Sequence, residues 1–285
     1  MLENLRFHKG ETQNDNEFAQ QLASLGDIFV SDAFSTAHRA HASTEGITKI
    51  LPSVAGRLME AEVNALKQAL ENPKKPVVAI VGGAKVSTKL SVLHNLVKKV
   101  DTIIIGGGMG NTFLYAQGIN MERSLHEPDM KDECLKIMQE AKEANCELVF
   151  PVDAQMAKEL KENVEVIVGC NKEIPKDYEI LDAGPESLKK FKSVLDNAKT
   201  LIWNGPLGAF EVPPFHKTTI EIAKYVAELT KKGSLISIAG GGDTISSIHK
   251  ANVYDSISYI STAGGAFLEW MEGKVLPGIV VLEKE

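Results

Sequence analysis

Three glycines and a carboxylate, Gly240-Gly241-Gly242-Asp243, follow the apolar run Leu235–Ala239 and precede a short amphipathic stretch. Where a strand empties through glycines into a helix, bare backbone N–H groups and the positive end of the helix dipole suit a phosphate. Asp243 would repel that phosphate unless a cation lay between them, and Mg²⁺ is such a cation, held by the carboxylate through a nucleotide. A tight turn capped by Asp243 or Thr244 is the reading that this stretch alone leaves open. Lys85 and Lys89, one helical turn apart behind Gly82-Gly83, can both face a phosphate chain. A further group is His38, Arg39 and His41 in SDAFSTAHRAHAST (Ser31–Thr44). No carboxylate or cysteine stands at metal-ligand spacing there, so an arginine flanked by histidines suits an anionic substrate better than a metal. Arg6 can converge on the same place, although spacing alone favours a surface salt bridge for it.

The elements that must position these residues change character along the chain. In residues 1–50, Leu2–Phe7 and Ile28–Val30 read as short strands, and Phe18, Leu22 and Leu25 as one helical face. Two strands and a helix cannot bury a core of their own, so Phe18, Leu22, Leu25, Ile28 and Phe29 are expected to lack part of their cover. Pro52–Leu70 reads as a helix stopped by Asn72-Pro73, and residues 51–75 as a connecting segment. From Pro76 onward, apolar strands (Val77–Val81, Thr102–Ile105, Leu148–Phe150, Val164–Val168, Thr200–Trp203, Leu235–Ala239, Ser258–Ser261) alternate with amphipathic helices. That alternation means a parallel α/β sheet covered on both faces, with ligands at the carboxyl ends of the strands. The glycines collect at those ends.

The chain's 285 residues, 44% apolar and 24% charged, are ordinary for a soluble protein with room for two domains. A net charge of −7 argues against nucleic acid or an anionic membrane as a partner. Cys134, Cys146 and Cys170 are odd in number and widely spaced, indicating neither a disulfide framework nor a zinc site. With no secretory segment at the start and no apolar run of membrane length, the expectation is a cytoplasmic protein.

No glycine cluster satisfies G-x-x-x-x-G-K-[ST] or G-x-G-x-x-G, which argues against a P-loop NTPase and against an ordinary dinucleotide dehydrogenase. What the chain does carry, in order, is ENLRFHKGE, SDAFSTAHRAHAS, VGGAKVSTKL, GGGMGNTFL, WNGPLGAFE, AGGGDT and STAGGA…EGKVLPG. This series resembles that of the phosphoglycerate kinases over essentially the whole chain. The resemblance implies two Rossmann-like domains across a hinged cleft, here a three-layer αβα nucleotide domain (76–273) preceded by part of a second α/β domain (1–50), with 274–285 as a C-terminal tail. It implies Mg-ADP or Mg-ATP on one side, 3-phosphoglycerate or 1,3-bisphosphoglycerate on the other, and a monomer when full length.

Carried over by position, Lys89 resembles the lysine that follows the transferred phosphoryl, and Lys85 its companion. Asp243 matches the Mg-nucleotide aspartate, with Thr244 and Gly241 beside it. Asn204 matches a phosphate contact and Glu211 a ribose contact. Gly83, Ala84, Gly107, Gly108, Leu181, Pro206 and Ala209 match the adenosine pocket. Arg6, His38 and Arg39 match part of the basic patch that grips phosphoglycerate, with Arg39 catalytic. Gly242 and Gly265 match the backbone donors around the transferred phosphoryl. Ala263 departs from the family's usual glycine. The family also places further motifs of its first domain ahead of Leu2, and their absence here brings in a second expectation, a catalytically impaired adenine-nucleotide-binding fragment.

Overall fold

The computed structural model describes residues 1–283. In chain order the helices and strands are α1 (Lys9–Thr12), α2 (Asn16–Ala23), β1 (Phe29–Ser31), β2 (Ser53–Ala55), α3 (Arg57–Leu70), β3 (Val77–Val81), α4 (Leu90–Leu96), β4 (Thr102–Ile105), α5 (Gly107–Ala116), α6 (Lys131–Glu143) and β5 (Glu147–Val149). They continue as β6 (Asp153–Ala157), β7 (Ile167–Cys170), β8 (Glu179–Ala183), α7 (Pro185–Asn197), β9 (Thr200–Asn204), α8 (Lys217–Lys231), β10 (Ile236–Gly240), α9 (Gly242–Lys250), β11 (Tyr259–Ser261), α10 (Gly265–Met271) and α11 (Pro277–Val280). The chain divides into two compact units, one of Met1–Leu66 with the residues from Thr262 onward, the other Lys67–Ser261. The boundary falls within α3. Residues 262–273, expected beside the nucleotide motifs, cluster instead with the N-terminal segment, and so does the tail.

In the larger unit a six-stranded sheet has the order β11-β10-β9-β3-β4-β5, every pairing parallel. Its central strands β3 and β9 are buried at every residue, as largely apolar strands between two helical layers require. Phe191 and Leu195 of α7, Ile222 and Val226 of α8 and Ile248 of α9 join Ile80, Leu201 and Trp203 in one core. Each fully buried side chain of this size contributes about 1.5–3 kcal/mol. A separate three-stranded antiparallel sheet, β7-β6-β8, was not expected from the sequence. Asp153–Ala157 (DAQMA) is buried throughout but has no alternation and no β-branched residue, so neither pattern nor propensity marks it as a strand.

The smaller unit holds one parallel pair, β1 with β2, and the helices around it. Two expectations fail here. Leu5–Phe7 is a 3₁₀ turn capped by Asn4 and not a strand. The helix expected from Pro52 starts only at Arg57, because Ser53–Ala55 pairs with Phe29–Ser31 and Asp32 caps the helix, its Oδ1 accepting the N–H groups of Leu58 (2.7 Å) and Met59 (3.0 Å). The thin cover foreseen for the apolar residues holds for Leu25 and Ile28, which are exposed, whereas Phe18, Leu22 and Phe29 are half-buried. The last helix is held to the loop after Phe34 by the Gly278 N–H, which donates to the Ala37 carbonyl at 2.8 Å. Among the described residues no helix is long and apolar enough to cross a membrane.

Candidate active site

The sheet order reverses between β3 and β9: from β3 the chain builds outward through β4 and β5, then returns on the other side as β9, β10 and β11. In a parallel α/β sheet this reversal opens a crevice beyond the strand ends. The turns there are packed backbone to backbone. The Gly82 N–H donates to the Asn204 carbonyl at 3.0 Å, and a Cβ at Gly82 would lie 1.8 Å from the Pro206 carbonyl oxygen. Gly205 combines φ +105° with a position where a Cβ would meet Gly82 O at 2.2 Å. Only glycine satisfies both conditions.

Into this junction points Lys89. It follows the 3₁₀ turn Val86–Thr88, and its Nζ donates to the carbonyls of Gly82 (2.8 Å), just past β3, and Asn204 (3.1 Å), the last residue of β9. Burial lowers its pKa from 10.5 to about 8, against the opposing pull of the Asp243 carboxylate. Lys85, expected to act alike, is exposed, and its charge acts on Glu127 instead. Asn204 Nδ2 donates to Gly240 O at 2.8 Å, and the buried Thr244 hydroxyl accepts the Gly205 N–H at 2.7 Å. Both side chains therefore brace the strand ends against α9. Gly241, with φ +96°, opens that helix where a Cβ would lie 2.7 Å from Asn204 Nδ2.

Beside the junction lies a cavity of about 310 Å³. Gly83, Ala84, Gly107, Gly108, Leu181, Pro206 and Ala209, expected as one group, all line it, and so do Glu211 and Asp243. Lys85, Lys89, Asn204, Gly241, Gly242 and Thr244 are not in its wall. The antiparallel sheet supplies one side through Ala154 and the stretch Glu179–Ala183, and Ala209 N–H donates to Leu181 O at 2.7 Å. Sequence reading missed Asp182 in this wall. Its carboxylate is buried, accepts the N–H groups of Thr218 and Ala183 (both 2.9 Å) and Gln155 Nε2 (3.1 Å), and burial pushes its pKa up to about 7. Nothing in the sequence around it, EILDA, distinguishes it from a surface aspartate.

The remaining candidates lie in the smaller unit. Arg6 sits in the Leu5–Phe7 turn, and His38 and Arg39 follow the Phe34–Thr36 turn. His38 is half-buried; burial, then Arg39, Arg6 and His41 hold its pKa below the ordinary imidazole value, with Glu269 opposing. Two arginines thus act on one imidazole, an arrangement that an arriving anion relieves. A Cβ at Gly265 would come within 3.2 Å of His38 Nε2, which places Gly265 beside this cluster.

A family profile described as phosphoglycerate kinase matches residues 1–274. The chain belongs to the phosphoglycerate kinase family. It is 56% identical over 284 residues to a phosphoglycerate kinase of Chelativorans sp. (strain BNC1), covering 100% of this chain and 71% of the relative. It is 56% identical over 283 residues to that of Caulobacter vibrioides (strain NA1000 / CB15N), with coverages of 99% and 72%. Among solved structures, phosphoglycerate kinase from Coxiella burnetii superposes with a TM-score of 0.94 at 47% identity, over 98% of this chain and 71% of the other. The Pyrococcus horikoshii OT3 enzyme does so with a TM-score of 0.76 at 31% identity and the same coverages. Membership removes the oxidoreductase alternative.

Proposed function

We infer that the chain catalyses phosphoryl transfer between 1,3-bisphosphoglycerate and ADP, giving 3-phosphoglycerate and ATP, with the nucleotide held by the larger unit and the phosphoglycerate by the smaller. The shared naming of relatives along the whole chain favours this reading over a nucleotide-binding fragment without turnover. The observation that carries the chemistry is the half-buried Lys89 ammonium at the β3–β9 junction, with the Asp243 carboxylate close enough to act on it.

Phosphoryl transfer asks a protein mainly to align two oxygens and to neutralise charge on the migrating group. Lys89 supplies a desolvated positive charge, stronger here than in water. The Gly242 N–H opens α9, where the helix dipole adds to that charge. Gly83, Ala84, Gly107, Gly108, Leu181, Pro206 and Ala209 give the adenosine apolar and backbone contacts, and Glu211 at the rim reaches the ribose. Asn204, Thr244 and Gly241 keep the phosphate-side turns in register, and Lys85 adds an outer charge. On the smaller unit Arg6, His38 and Arg39 hold the anionic phosphoglycerate, with the Gly265 backbone beside them. No covalent nucleophile or strong base is needed, because the acyl phosphate has a carboxylate leaving group.

The residues present fit Mg²⁺. Among the described residues no group of three potential metal ligands occurs, but Mg²⁺ keeps several waters and takes the rest of its shell from phosphates, so one exposed carboxylate on the cavity rim suffices. Asp243 would hold the ion, which when bound neutralises phosphate charge. A coupled assay tests the reading: 3-phosphoglycerate-dependent formation of ADP from Mg-ATP is expected, lost in Lys89→Met and Arg39→Ala. ATP consumption that ignores 3-phosphoglycerate would overturn it.

A further inference from the structure

Glu11 is a carboxylate in α1 that is only 4% exposed, and neither the motif series nor the reaction chemistry assigns it a task. The partners of its side chain lie in the loop that carries His38 and Arg39. Its Oε2 accepts the Ser43 N–H at 3.0 Å, its Oε1 accepts the Ser43 hydroxyl at 2.6 Å, and His41 Nδ1 lies 3.4 Å from Oε1. Its backbone carbonyl accepts the Ala42 N–H at 3.0 Å. The loop is closed on itself at the same place. The Thr44 hydroxyl donates to the Arg39 carbonyl at 2.6 Å and accepts the His41 N–H at 3.0 Å, while the His41 carbonyl accepts the N–H groups of Thr44, Glu45 and Gly46. In the other direction α1 follows at once on the turn that carries Arg6, since the His8 N–H closes that turn on the Leu5 carbonyl.

We propose that Glu11 is a positioning residue for the phosphoglycerate site: through Ser43 and His41 it fixes the Arg39–Thr44 loop against the turn of Arg6, and so sets the spacing of the cations that grip the anionic substrate. The Arg6 and Arg39 guanidinium groups repel one another, and both act on His38. Groups that repel hold a fixed spacing only when their backbones are tied, and one buried carboxylate ties both segments here. A buried carboxylate bonded to N–H and O–H donors is worth more than a neutral bond, and its removal leaves the Ser43 groups without their acceptor.

The inference rests on the reading that Arg6, His38 and Arg39 hold phosphoglycerate, and the test separates the two. Affinities for 3-phosphoglycerate and for Mg-ADP are measured by calorimetry on the full chain, well below the melting temperature, for Glu11→Ala, Glu11→Gln, Ser43→Ala and Arg39→Ala. Glu11→Ala should weaken 3-phosphoglycerate about tenfold, or ~1.4 kcal/mol. Glu11→Gln, which keeps one acceptor oxygen, should recover part of that loss, and Mg-ADP affinity should stay unchanged in both. A purely structural role would lower the melting temperature and leave the two affinities, or their ratio, where they were; that outcome overturns the inference. Should Glu11→Ala not fold, Glu11→Gln and Ser43→Ala decide by the same ratio. Loss of 3-phosphoglycerate binding in Arg39→Ala with none in the Glu11 or Ser43 variants refutes the role of Glu11 alone. Unchanged binding in Arg39→Ala refutes the underlying assignment of the site.

Discussion

Lys89 trades stability for charge, and replacing it with methionine should expose the trade. Its pKa falls from 10.5 to about 8 on folding. At about 1.4 kcal/mol per pH unit, keeping the amine protonated in the folded chain costs roughly 3 kcal/mol at neutral pH. Methionine removes that cost along with the two charge-assisted bonds to Gly82 O and Asn204 O, each worth about 1.5 kcal/mol or more. The two contributions nearly cancel, so at neutral pH the melting temperature should hold within about 2–4 °C in a protein whose turnover has fallen by about a hundredfold or more. Between pH 8 and 10.5 the unfolded chain binds a proton at this lysine that the folded chain does not, so the native protein gains stability as pH rises through that window. Relative to the parent, Lys89→Met should therefore be at its most stable below pH 8 and should lose roughly 3 kcal/mol of that standing as pH approaches 10.5. Calorimetric melts of both proteins at pH 7 and pH 10 check this. A variant that melts several degrees lower at pH 7, or a difference that ignores pH, would show that the carbonyl bonds outweigh desolvation.

Asp243→Ala should weaken Mg-ADP far more than metal-free ADP in a binding titration, because the carboxylate acts through the cation; equal weakening would reduce Asp243 to a helix cap. Gly265→Ala presses a methyl group to 3.2 Å from the His38 ring, so 3-phosphoglycerate affinity should fall while ADP affinity holds, as paired calorimetric titrations would show. Gly82→Ala drives a Cβ onto the Pro206 carbonyl and should destabilise the larger unit by about 3 kcal/mol or more, measured as a shift in the urea midpoint.

The central sheet was legible because Val77–Val81, Thr102–Ile105 and Thr200–Asn204 are apolar runs ended by glycine, and parallel strands buried on both faces need little else. The candidate site was legible at its glycines, Lys89 and Asp243, where residue type is forced by close backbone approach or by charge. What stayed hidden depends on tertiary partners. Ser53–Ala55 becomes a strand only because Phe29–Ser31 lies beside it. Lys85 and Lys89 are equivalent by spacing, yet only Lys89 meets two carbonyls. Gly265 opens a helix after a strand just as Gly242 does, and only the packed chain shows that its neighbour is His38. Asp182 and Glu11 are buried carboxylates whose roles come from donors distant in sequence, Thr218 for one and Ser43 for the other.

The central claim is that nucleotide and phosphoglycerate are held by different compact units, through the residues named. Amide hydrogen exchange with each ligand added separately tests it most directly. Mg-ADP should slow exchange in 82–89, 106–111, 180–182, 204–211 and 240–245, and 3-phosphoglycerate should slow it in 5–11 and 36–44. Protection by Mg-ADP centred on 36–44, or by 3-phosphoglycerate centred on 204–211, would contradict it.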